Sequence, residues 1–410
     1  MKPLKWRGLT GVASALVISL TSCVSPLAMH RAVMEYDRTV SRIESELLLL
    51  NIARARHHRH LHFTAISNVA ATFDFRSNAG FSGELFEGVF SGEGRGFTKN
   101  FYSFNLGASV AENPTVNIIP IQGEEFTKRI LAPIDEIKFG FLFHRTVFPA
   151  LLLRLMTHGI VVEQEGTGAV SVLPNNPSQV EGYREFRRRV IHLSALNLEH
   201  KLHVGPLVFE EVWPLPLDHP LTSNALEKGY QWTQLGEGQA SLLSRKVIGR
   251  VAITNYDPAR LPNEERRHLH EESQRYPPDH ILVDIRPGSP GGTYPLHGRF
   301  QLRSFQAILE FLAEGIAETP EFEVEKDLRT GPVSADPPRT LEIMETKAPP
   351  SEAAFAVEFE SHWYSIRKSV GETGGLHAWN LEAFRVLYQI LQLTVTDVAR
   401  VPTFPITIAK

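Results

Sequence analysis

The amino-acid sequence predicts an α+β protein, and three features of the chain indicate this fold class. Apolar residues in heptad spacing near the start predict a long helix, and two segments in which apolar and polar residues alternate follow it. The second half mixes strand-like segments with Pro-rich connections and ends in amphipathic helices. We therefore expect a long N-terminal helix, an antiparallel hairpin or sheet, and a mixed C-terminal half with strands and amphipathic helices.

The chain begins with a stretch typical of a secretory signal. A basic start precedes an apolar run from Leu9 to Leu20, which is too short to span a bilayer unaided. The run ends in Leu20-Thr21-Ser22-Cys23, which resembles the lipobox of bacterial lipoproteins, and Cys23 is the only cysteine. We expect cleavage after residue 22 and lipidation of Cys23, palmitate included. An ordinary signal peptide with an unrelated cysteine is the alternative.

The predicted localisation is the outer membrane, on its periplasmic side. Val24 rather than aspartate follows Cys23, which resembles the outer-membrane sorting pattern of Gram-negative lipoproteins. The lipid is the anchor that we expect, because the next most apolar region, residues 139–160, is interrupted by His, Arg and Pro. A net charge of −4 provides no basic field for nucleic acid.

A helix is predicted over residues 26–56. Ser25-Pro26 has the pattern of an N-cap followed by proline in the first turn. Spacings of three and four then predict a heptad seam on one face. The seam residues are Val33, Tyr36, Val40, Ile43, Leu47 and Leu50. Because the seam is short, a core helix is favoured over a free-standing coiled coil.

This helix is predicted to end in a run rich in arginine and histidine, from Arg54 to His62, which includes the histidines of residues 57–62. Three interpretations are open: a metal site, a contact with phospholipid or lipopolysaccharide phosphates, and a solvated helix end. Cations are favoured at a helix C-terminus without any ligand, and dense arginines repel a divalent ion. The solvated helix end is therefore the favoured interpretation.

Two strands are predicted next, at about residues 66–77 and 100–111, where apolar and polar side chains alternate. Residues 80–97 between them are rich in Gly and Phe, which predicts a docked loop or an insertion tip. A sheet with one face on a core is the favoured interpretation. The alternative is a membrane-crossing hairpin, several of which, from different chains, would close a barrel and leave no edge unpaired in lipid.

The run from Glu112 to Ile134 is the most distinctive of the chain. Pro120, Gly123 and Pro133 within it predict a strand, a turn and a short helix. The run resembles one in uncharacterised lipoproteins of Gram-negative bacteria, in which a long first helix and a Gly-rich hairpin precede it. The resemblance covers about the first third of the chain. It implies a shared exported, lipid-anchored family, and it carries no catalytic residue.

The middle of the chain is predicted to contain an apolar core helix over residues 139–160, kinked or split at Pro149. A hairpin over residues 161–173 and a helix over residues 180–200 follow. Leu173 to Pro177 is the predicted boundary between halves. The predicted divisions are the signal peptide of residues 1–22, an N-terminal part of residues 23–175 and a C-terminal α+β domain of residues 176–410.

The second half is predicted to alternate strands with connections. The predicted strands are residues 207–213, 246–254, 281–285 and 355–360. Amphipathic helices are predicted from Ser304 to Ala317 and from Asn380 onward. Residues 332–350 are predicted as a surface linker or a long loop.

Motifs for chemistry are weak throughout. His268-Leu269-His270-Glu271-Glu272 lacks the spacing of a zinc protease, and Gly80-Phe81-Ser82-Gly83 lacks that of a serine hydrolase. Glu199-His200 with His203 could chelate a metal, but a pair of histidines near a helix end is more often part of the surface or of the core packing. Adjacent glutamates are more typical of solvated charges than of acid–base pairs; these pairs are Glu124-Glu125, Glu210-Glu211 and Glu271-Glu272. The sequence therefore predicts no catalytic, cofactor-binding or metal-binding residue.

These features together predict a non-catalytic component of the envelope, which binds another envelope protein or helps to build a multi-subunit assembly. An oligomeric outer-membrane pore whose subunits each donate a β-hairpin is one alternative. An envelope enzyme without a local motif is the other. The expected partners are the membrane, through the lipid on Cys23, and an envelope protein or further copies of the chain.

Overall fold

The computed structural model describes the backbone of six ranges of the chain. These ranges are residues 7–84, 101–163, 169–215, 229–234, 241–367 and 375–395. The side chains of residues 7–29 and 66–117, among others, are outside the description. The Gly- and Phe-rich loop predicted at residues 80–97 lies mostly outside the described residues, and so does the turn of the predicted hairpin at Gly166-Thr167-Gly168.

The described residues form α-helices and β-strands in both halves of the chain. The helices are α1 (Arg7–Arg56), α2 (Glu124–Leu131), α3 (Glu136–Phe143), α4 (Pro149–Met156), α5 (Val180–Leu198), α6 (Asn263–Gln274), α7 (Phe305–Ala317) and α8 (Gly375–Val395). The strands are β1 (Phe63–Glu84), β2 (Phe101–Ile121), β3 (Thr157–Glu163), β4 (Val170–Pro174), β5 (His203–Leu215), β6 (Gln231–Gln234), β7 (Ser241–Thr254), β8 (His280–Ile285), β9 (Leu296–Leu302), β10 (Met344–Thr346), β11 (Ala353–Phe359) and β12 (His362–Arg367). The predicted α+β class is confirmed.

The chain forms two compact units. The smaller comprises Met1–Val40 and Thr64–Pro120, and the larger comprises Ser41–Phe63 and Ile121–Lys410. In the smaller unit, β1 and β2 pair in a two-stranded sheet. The larger unit holds the rest of the described strands in two further sheets.

Seven strands form the main sheet of the larger unit. Six of them lie in the order β4-β3-β9-β8-β7-β5, and β6 pairs with β7. All neighbours are antiparallel except β7 and β8, which run parallel. A parallel pair needs a crossover, and α6 supplies it between these two strands.

Helices cover both faces of this sheet, as the alternating side chains of β8 show. Ile281, Val283 and Ile285 belong to the main hydrophobic core, to which α4, α5, α7 and α8 contribute. Leu282 lies between them in sequence and packs in a second, small cluster with Leu269 of α6. Successive side chains of a strand point to opposite faces, so the sheet is sandwiched between helices.

The predicted helix over residues 139–160 is only partly correct. Its split at Pro149 is confirmed, because Pro149 begins α4, where its missing N–H costs nothing. From Thr157 onward, however, the chain forms β3, which pairs with β9 on one side and β4 on the other. Backbone pairing with a distant strand overrides the local helical pattern.

The predicted boundary near residue 175 falls inside the larger unit. β3 precedes this position and pairs with β9, which follows it. α4 and α5, from either side of it, pack together. One core therefore includes residues on both sides of the boundary.

Residues 332–343 are irregular, which agrees with the predicted long loop, but residues 332–350 are not a surface linker. Thr340, Leu341 and Ile343 are buried, and β10 begins directly after them. β10 pairs with β12, which also pairs with β11, so this segment contributes to a three-stranded sheet. The four strands predicted for the second half overlap β5, β7, β8 and β11, as expected.

The first helix begins earlier than predicted. α1 starts at Arg7 rather than at Pro26, because the apolar stretch before Pro26 is itself helical. Its buried face near the C-terminus also differs from the heptad seam, in which Leu47 and Leu50 are only half-buried. The buried apolar residues there are Leu48, Leu49, Ile52 and Ala53.

Candidate functional site

The two strands of the smaller unit are far longer than the other strands that the structure describes. β1 has 22 residues and β2 has 21, whereas a strand usually has about six. At roughly 3.3 Å per residue each extends about 70 Å. Among the described residues they pair only with each other, so each has one edge without a strand partner. We call β1 and β2 the ribbon.

The ribbon is a two-stranded sheet that shares no strand with the seven-stranded sheet. The side chains of residues 66–117 are outside the description, so a sheet with one face on a core stays a prediction. The sequence of β1 alternates in the way that predicted a strand with one apolar face. The apolar positions are Val69, Ala71, Phe73 and Phe75, and the polar positions are Asn68, Thr72, Asp74 and Arg76. A two-stranded sheet is at best marginally stable alone in water, so an apolar face favours a further partner.

The predicted lipidation site, Cys23, lies within the backbone of α1. Its side chain is outside the described residues, so lipid attachment stays a prediction. Among the helices that the structure describes, none has both the length and the hydrophobicity to cross a membrane.

The histidine-rich end of α1 separates into one half-buried and several exposed residues. His57 directly follows the helix and is half-buried, whereas His58, His60 and His62 are exposed. His58 has a φ of 52°, and this left-handed residue ends the helix. A solvated helix end is therefore correct for the three exposed histidines and wrong for His57.

His57 lies in a cluster with residues of the three-stranded sheet, which we call the His57 cluster: His57, Glu345, Glu360, His362 and Tyr364. The Nε2 atom of His57 is 2.7 Å from the Tyr364 hydroxyl oxygen, and its Nδ1 atom is 3.3 Å from Oε2 of Glu360. Tyr364 donates to Oε1 of Glu345 at 2.8 Å. Burial and the hydrogen bond to Glu345 raise the pKa of Tyr364, so this hydroxyl keeps its proton at neutral pH.

A groove of about 790 Å³ runs beside the exposed histidines. Its lining includes His62 and Ile121, near which the chain leaves and re-enters the larger unit, and three glutamates of α7 and its C-terminal end. Arg56 binds Glu318 at 2.8 Å, and Arg59 binds Glu360 at the same distance. Two of the three arginines of this run are thus already paired with carboxylates, and Arg54 donates to the carbonyl of His62, which disfavours the phosphate interpretation of this run.

A second polar cluster covers the side of the main sheet that faces α6. His297 of β9 lies between two carboxylates, with its Nδ1 atom 3.2 Å from Asp284 and its Nε2 atom 3.0 Å from Glu272. These two hydrogen bonds raise the pKa of His297 to about 10, although burial opposes the charge. The ring is therefore an imidazolium at neutral pH, and it links β9 to β8 and α6 as a fixed cation.

The partners of Asp284 complete this cluster. Tyr256 donates to Oδ2 of Asp284 at 2.5 Å, and Nε of Arg286 donates to the same oxygen at 2.6 Å. Although burial opposes ionisation, His297, Tyr256 and Arg286 together lower the pKa of Asp284. A carboxylate with three donors is a poor general base, so this arrangement holds the sheet surface and α6 together rather than moving protons.

A third cluster lies in the core and is built around two fully buried guanidinium groups, of Arg154 and Arg187. Arg154 donates to Glu321 at 3.1 Å and to the carbonyl of Pro337 at 2.7 Å. Arg187 donates to Asp336 at 2.8 Å. Buried charges must be paired and hydrogen-bonded, so these two arginines bind the irregular segment between α7 and β10 to α4 and α5.

The carboxylate and histidine pairs singled out in the sequence do not assemble into a reactive site. Glu199 binds Lys201 at 2.5 Å, while His200 and His203 are exposed. Glu124 and Glu125 each pair with a cation one turn later on α2, as expected for solvated charges. Glu272 of the Glu271-Glu272 pair is not a solvated charge, because it binds His297.

The candidate site residues that sequence reasoning missed are those contributed by β10 and β12. Glu345, His362 and Tyr364 carry no local motif, and they meet His57 only in the folded chain. One signal was available, because alternation in a strand places His362, Tyr364 and Ile366 on one face, where a histidine and a tyrosine accompany a core residue.

Comparison of the chain with known proteins identifies no relative. No protein-family model, no curated protein and no solved structure matches the chain. The ribbon and the three polar clusters are therefore the features from which a function can be inferred.

Proposed function

We propose that the protein is a lipid-anchored, non-catalytic subunit of a multi-chain assembly at the periplasmic face of the outer membrane. Acyl chains on Cys23 provide the anchor. The ribbon provides the assembly element, by pairing its strands with those of ribbons from further copies of the chain. The single observation that supports this best is a pair of strands of 22 and 21 residues that pair only with each other among the described residues.

Unpaired strand edges favour association, since each presents a row of backbone donors and acceptors. Natural proteins usually prevent pairing at such edges with charges, proline or a bulge. Pro114 and Pro120 near the end of β2 would hinder pairing there, but the region from Phe101 to Glu112 contains no proline or lysine. This part of the ribbon is thus suited to pair with a neighbouring strand.

The first helix supports the same proposal. Val33 and Ile43 belong to the heptad seam and are 58% and 38% exposed in the single chain. The other four seam residues are half-buried, and exposed apolar residues at seam positions are suited to pack against another chain. α1 and the ribbon adjoin in sequence, so both would take part in one assembly.

A pore is the second candidate function, and the length of the ribbon favours it. A tilted strand needs about ten residues to cross the hydrocarbon core, and the alternating segments of β1 and β2 are about that long. Several ribbons in a ring would close a barrel, which satisfies every backbone group in lipid. Asp74 and Arg76 would then face the aqueous lumen.

The test compares charge substitutions on the two faces of the ribbon. Phe73→Lys with Phe104→Lys places charges on the apolar face, and the matched control, Thr72→Lys with Ser103→Lys, places the same charges on the polar face. Detergent-extracted chain is analysed for mass by light scattering and native mass spectrometry. We expect oligomers for the unmodified chain and the control, and monomers for the apolar-face variant.

Dye release from liposomes separates the two candidate functions. A pore subunit releases dye, and charges on the apolar face abolish release because each costs about 2–4 kcal/mol at the bilayer midplane. Oligomers without release support assembly alone. A Cys23→Ala chain that is water-soluble, monomeric and never inserts into liposomes excludes the pore, and a monomeric acylated chain excludes the assembly.

A further inference from the structure

We propose that His57, Glu345 and His362 form a binding site for a divalent transition-metal ion such as Zn²⁺. One nitrogen from each imidazole and one carboxylate oxygen lie within 4.8 Å of one another. Two histidines and one carboxylate are a common zinc ligand set, which leaves the fourth position for water. His57 directly follows α1, Glu345 lies in β10 and His362 lies in β12, so the ion would join the end of the helix to the three-stranded sheet.

The tautomer of His362 favours metal binding. Its Nδ1 atom is 3.1 Å from the backbone carbonyl of Glu360. A carbonyl only accepts, so Nδ1 carries the hydrogen and the Nε2 lone pair of the neutral ring is available. Histidines that bind metals usually donate their other N–H to a carbonyl or carboxylate in this way.

His57 is oriented by the same residue. Its Nδ1 atom lies 3.3 Å from the Glu360 carboxylate, so a neutral His57 ring donates from Nδ1 and directs its Nε2 lone pair toward Tyr364 and Glu345. Glu360 thus positions both imidazoles, one with its side chain and the other with its backbone. A carboxylate behind a ligand histidine is a frequent feature of zinc sites.

A tight hairpin turn fixes the backbone at this point. Glu360 and Ser361 are the two residues between β11 and β12 and have φ angles of 46° and 65°, the left-handed conformation that a two-residue type I′ hairpin turn requires. This turn is what brings the Glu360 carbonyl within reach of His362.

The Tyr364 hydroxyl lies between two of the three ligands. Its oxygen is 2.7 Å from Nε2 of His57 and 2.8 Å from Oε1 of Glu345. The other carboxylate oxygen of Glu345, Oε2, is 4.0 Å from Nε of Arg56. An ion that binds both His57 and Glu345 would take over one of the two contacts of the hydroxyl.

The other group of potential ligands, Glu163, Glu272 and His297, forms closer ion pairs than Glu345 does with Arg56. His297 already holds its proton between Asp284 and Glu272. Glu163 is occupied by Arg299 and accepts from the hydroxyl of Tyr276 at 2.9 Å. Each ligand atom there has a partner of opposite charge, so that group serves as the comparison site rather than as a second proposal.

The test is titration of the purified full chain, carrying no histidine tag and freed of metal with a chelator, with ZnCl₂ by calorimetry. We expect one high-affinity site per chain that Glu345→Gln and His362→Ala each weaken by about 100-fold. Affinity should fall as the pH is lowered, because protons compete for the imidazoles. Co²⁺ in place of Zn²⁺ should give the intense visible absorption of a tetrahedral site, which a change of stability alone does not produce.

The matched control removes three exposed histidines of the same run, through His58→Ala, His60→Ala and His62→Ala together. Zn²⁺ affinity should be unchanged in this control and in His297→Gln. Glu345→Gln keeps the shape of the side chain and an acceptor for Tyr364, and circular dichroism without metal verifies its fold. Retention of tight binding by folded Glu345→Gln and His362→Ala, or its loss in the triple control, would overturn the proposal.

Discussion

At the residue scale, His297 gives the protein a stability that depends on pH. Hydrogen bonds with Asp284 and Glu272 raise the pKa of His297 from 6.5 to about 10. A pKa that is higher in the folded than in the unfolded chain adds stability that is fully present below pH 6.5 and is lost as the pH rises toward 10. The upper limit of this contribution is about 5 kcal/mol.

We therefore predict that His297→Gln destabilises the protein most at pH 6 and that the difference from the unmodified chain shrinks as the pH approaches 10. Urea unfolding followed by circular dichroism across this pH range measures it. His268→Gln, which changes an exposed histidine of α6, is the control and should alter stability little at any pH. A difference that is independent of pH would contradict the assigned charge.

At the element scale, the irregular segment of residues 319–343 is held by charges rather than by regular hydrogen bonding. The Glu321 carboxylate, only 6% exposed, accepts from Arg154 and from the hydroxyl of Tyr183 at 2.9 Å. The backbone N–H of Thr340 also donates to it, at 2.5 Å. Although burial opposes ionisation, the two guanidinium groups nearby lower its pKa. One carboxylate therefore joins three parts of the core.

Glu321→Gln is predicted to release this segment, because the amide leaves the buried guanidinium of Arg154 short of a counter-charge. Loss of one partner of a buried pair costs about 3–5 kcal/mol. Trypsin should then cut at the exposed residues Lys326 and Arg329 at least about tenfold faster, since cleavage follows the open population. Mass spectrometry of the fragments identifies the sites.

Glu323→Gln is the matched control for this experiment, because Glu323 lies in the same segment and is exposed. It should be cut at the rate of the unmodified chain. Equal cleavage of Glu321→Gln and the control would show that the carboxylate does not hold the segment in place.

At the scale of the whole molecule, the larger unit behaves as one core in which distant parts of the chain interlock. β3 pairs with β9, and Arg154 of α4 binds residues that follow α7. A cut at residue 175 separates each of these pairs. Neither side retains the partners that its buried groups require.

The prediction is that fragments 23–175 and 176–410, produced separately, do not fold. Each should show little chemical-shift dispersion in an NMR spectrum and no cooperative thermal transition. Co-expression of the two fragments should restore a complex that contains the seven-stranded sheet. A well-dispersed spectrum from fragment 176–410 alone would instead support an independent C-terminal domain.

Local patterns in the sequence determined much of the architecture. The strands predicted at residues 66–77 and 100–111 overlap β1 and β2, and Ser304 caps α7 by accepting from the N–H of Ala307 at 3.1 Å. Periodicity and capping succeed in these places because they act over a few residues. The outer-membrane localisation predicted from Cys23 likewise rests on local sequence alone.

Tertiary structure alone decided the rest. It turned residues from Thr157 onward into β3, buried the segment that carries Glu321, and joined His57 to His362. Each outcome depends on a partner far away in the chain, and no local pattern specifies which distant strand will pair or which arginine will be buried. The ribbon depends on both local sequence and tertiary structure. The alternation of apolar and polar residues is visible in the sequence, whereas the absence of pairing with the main sheet is a property of the folded chain.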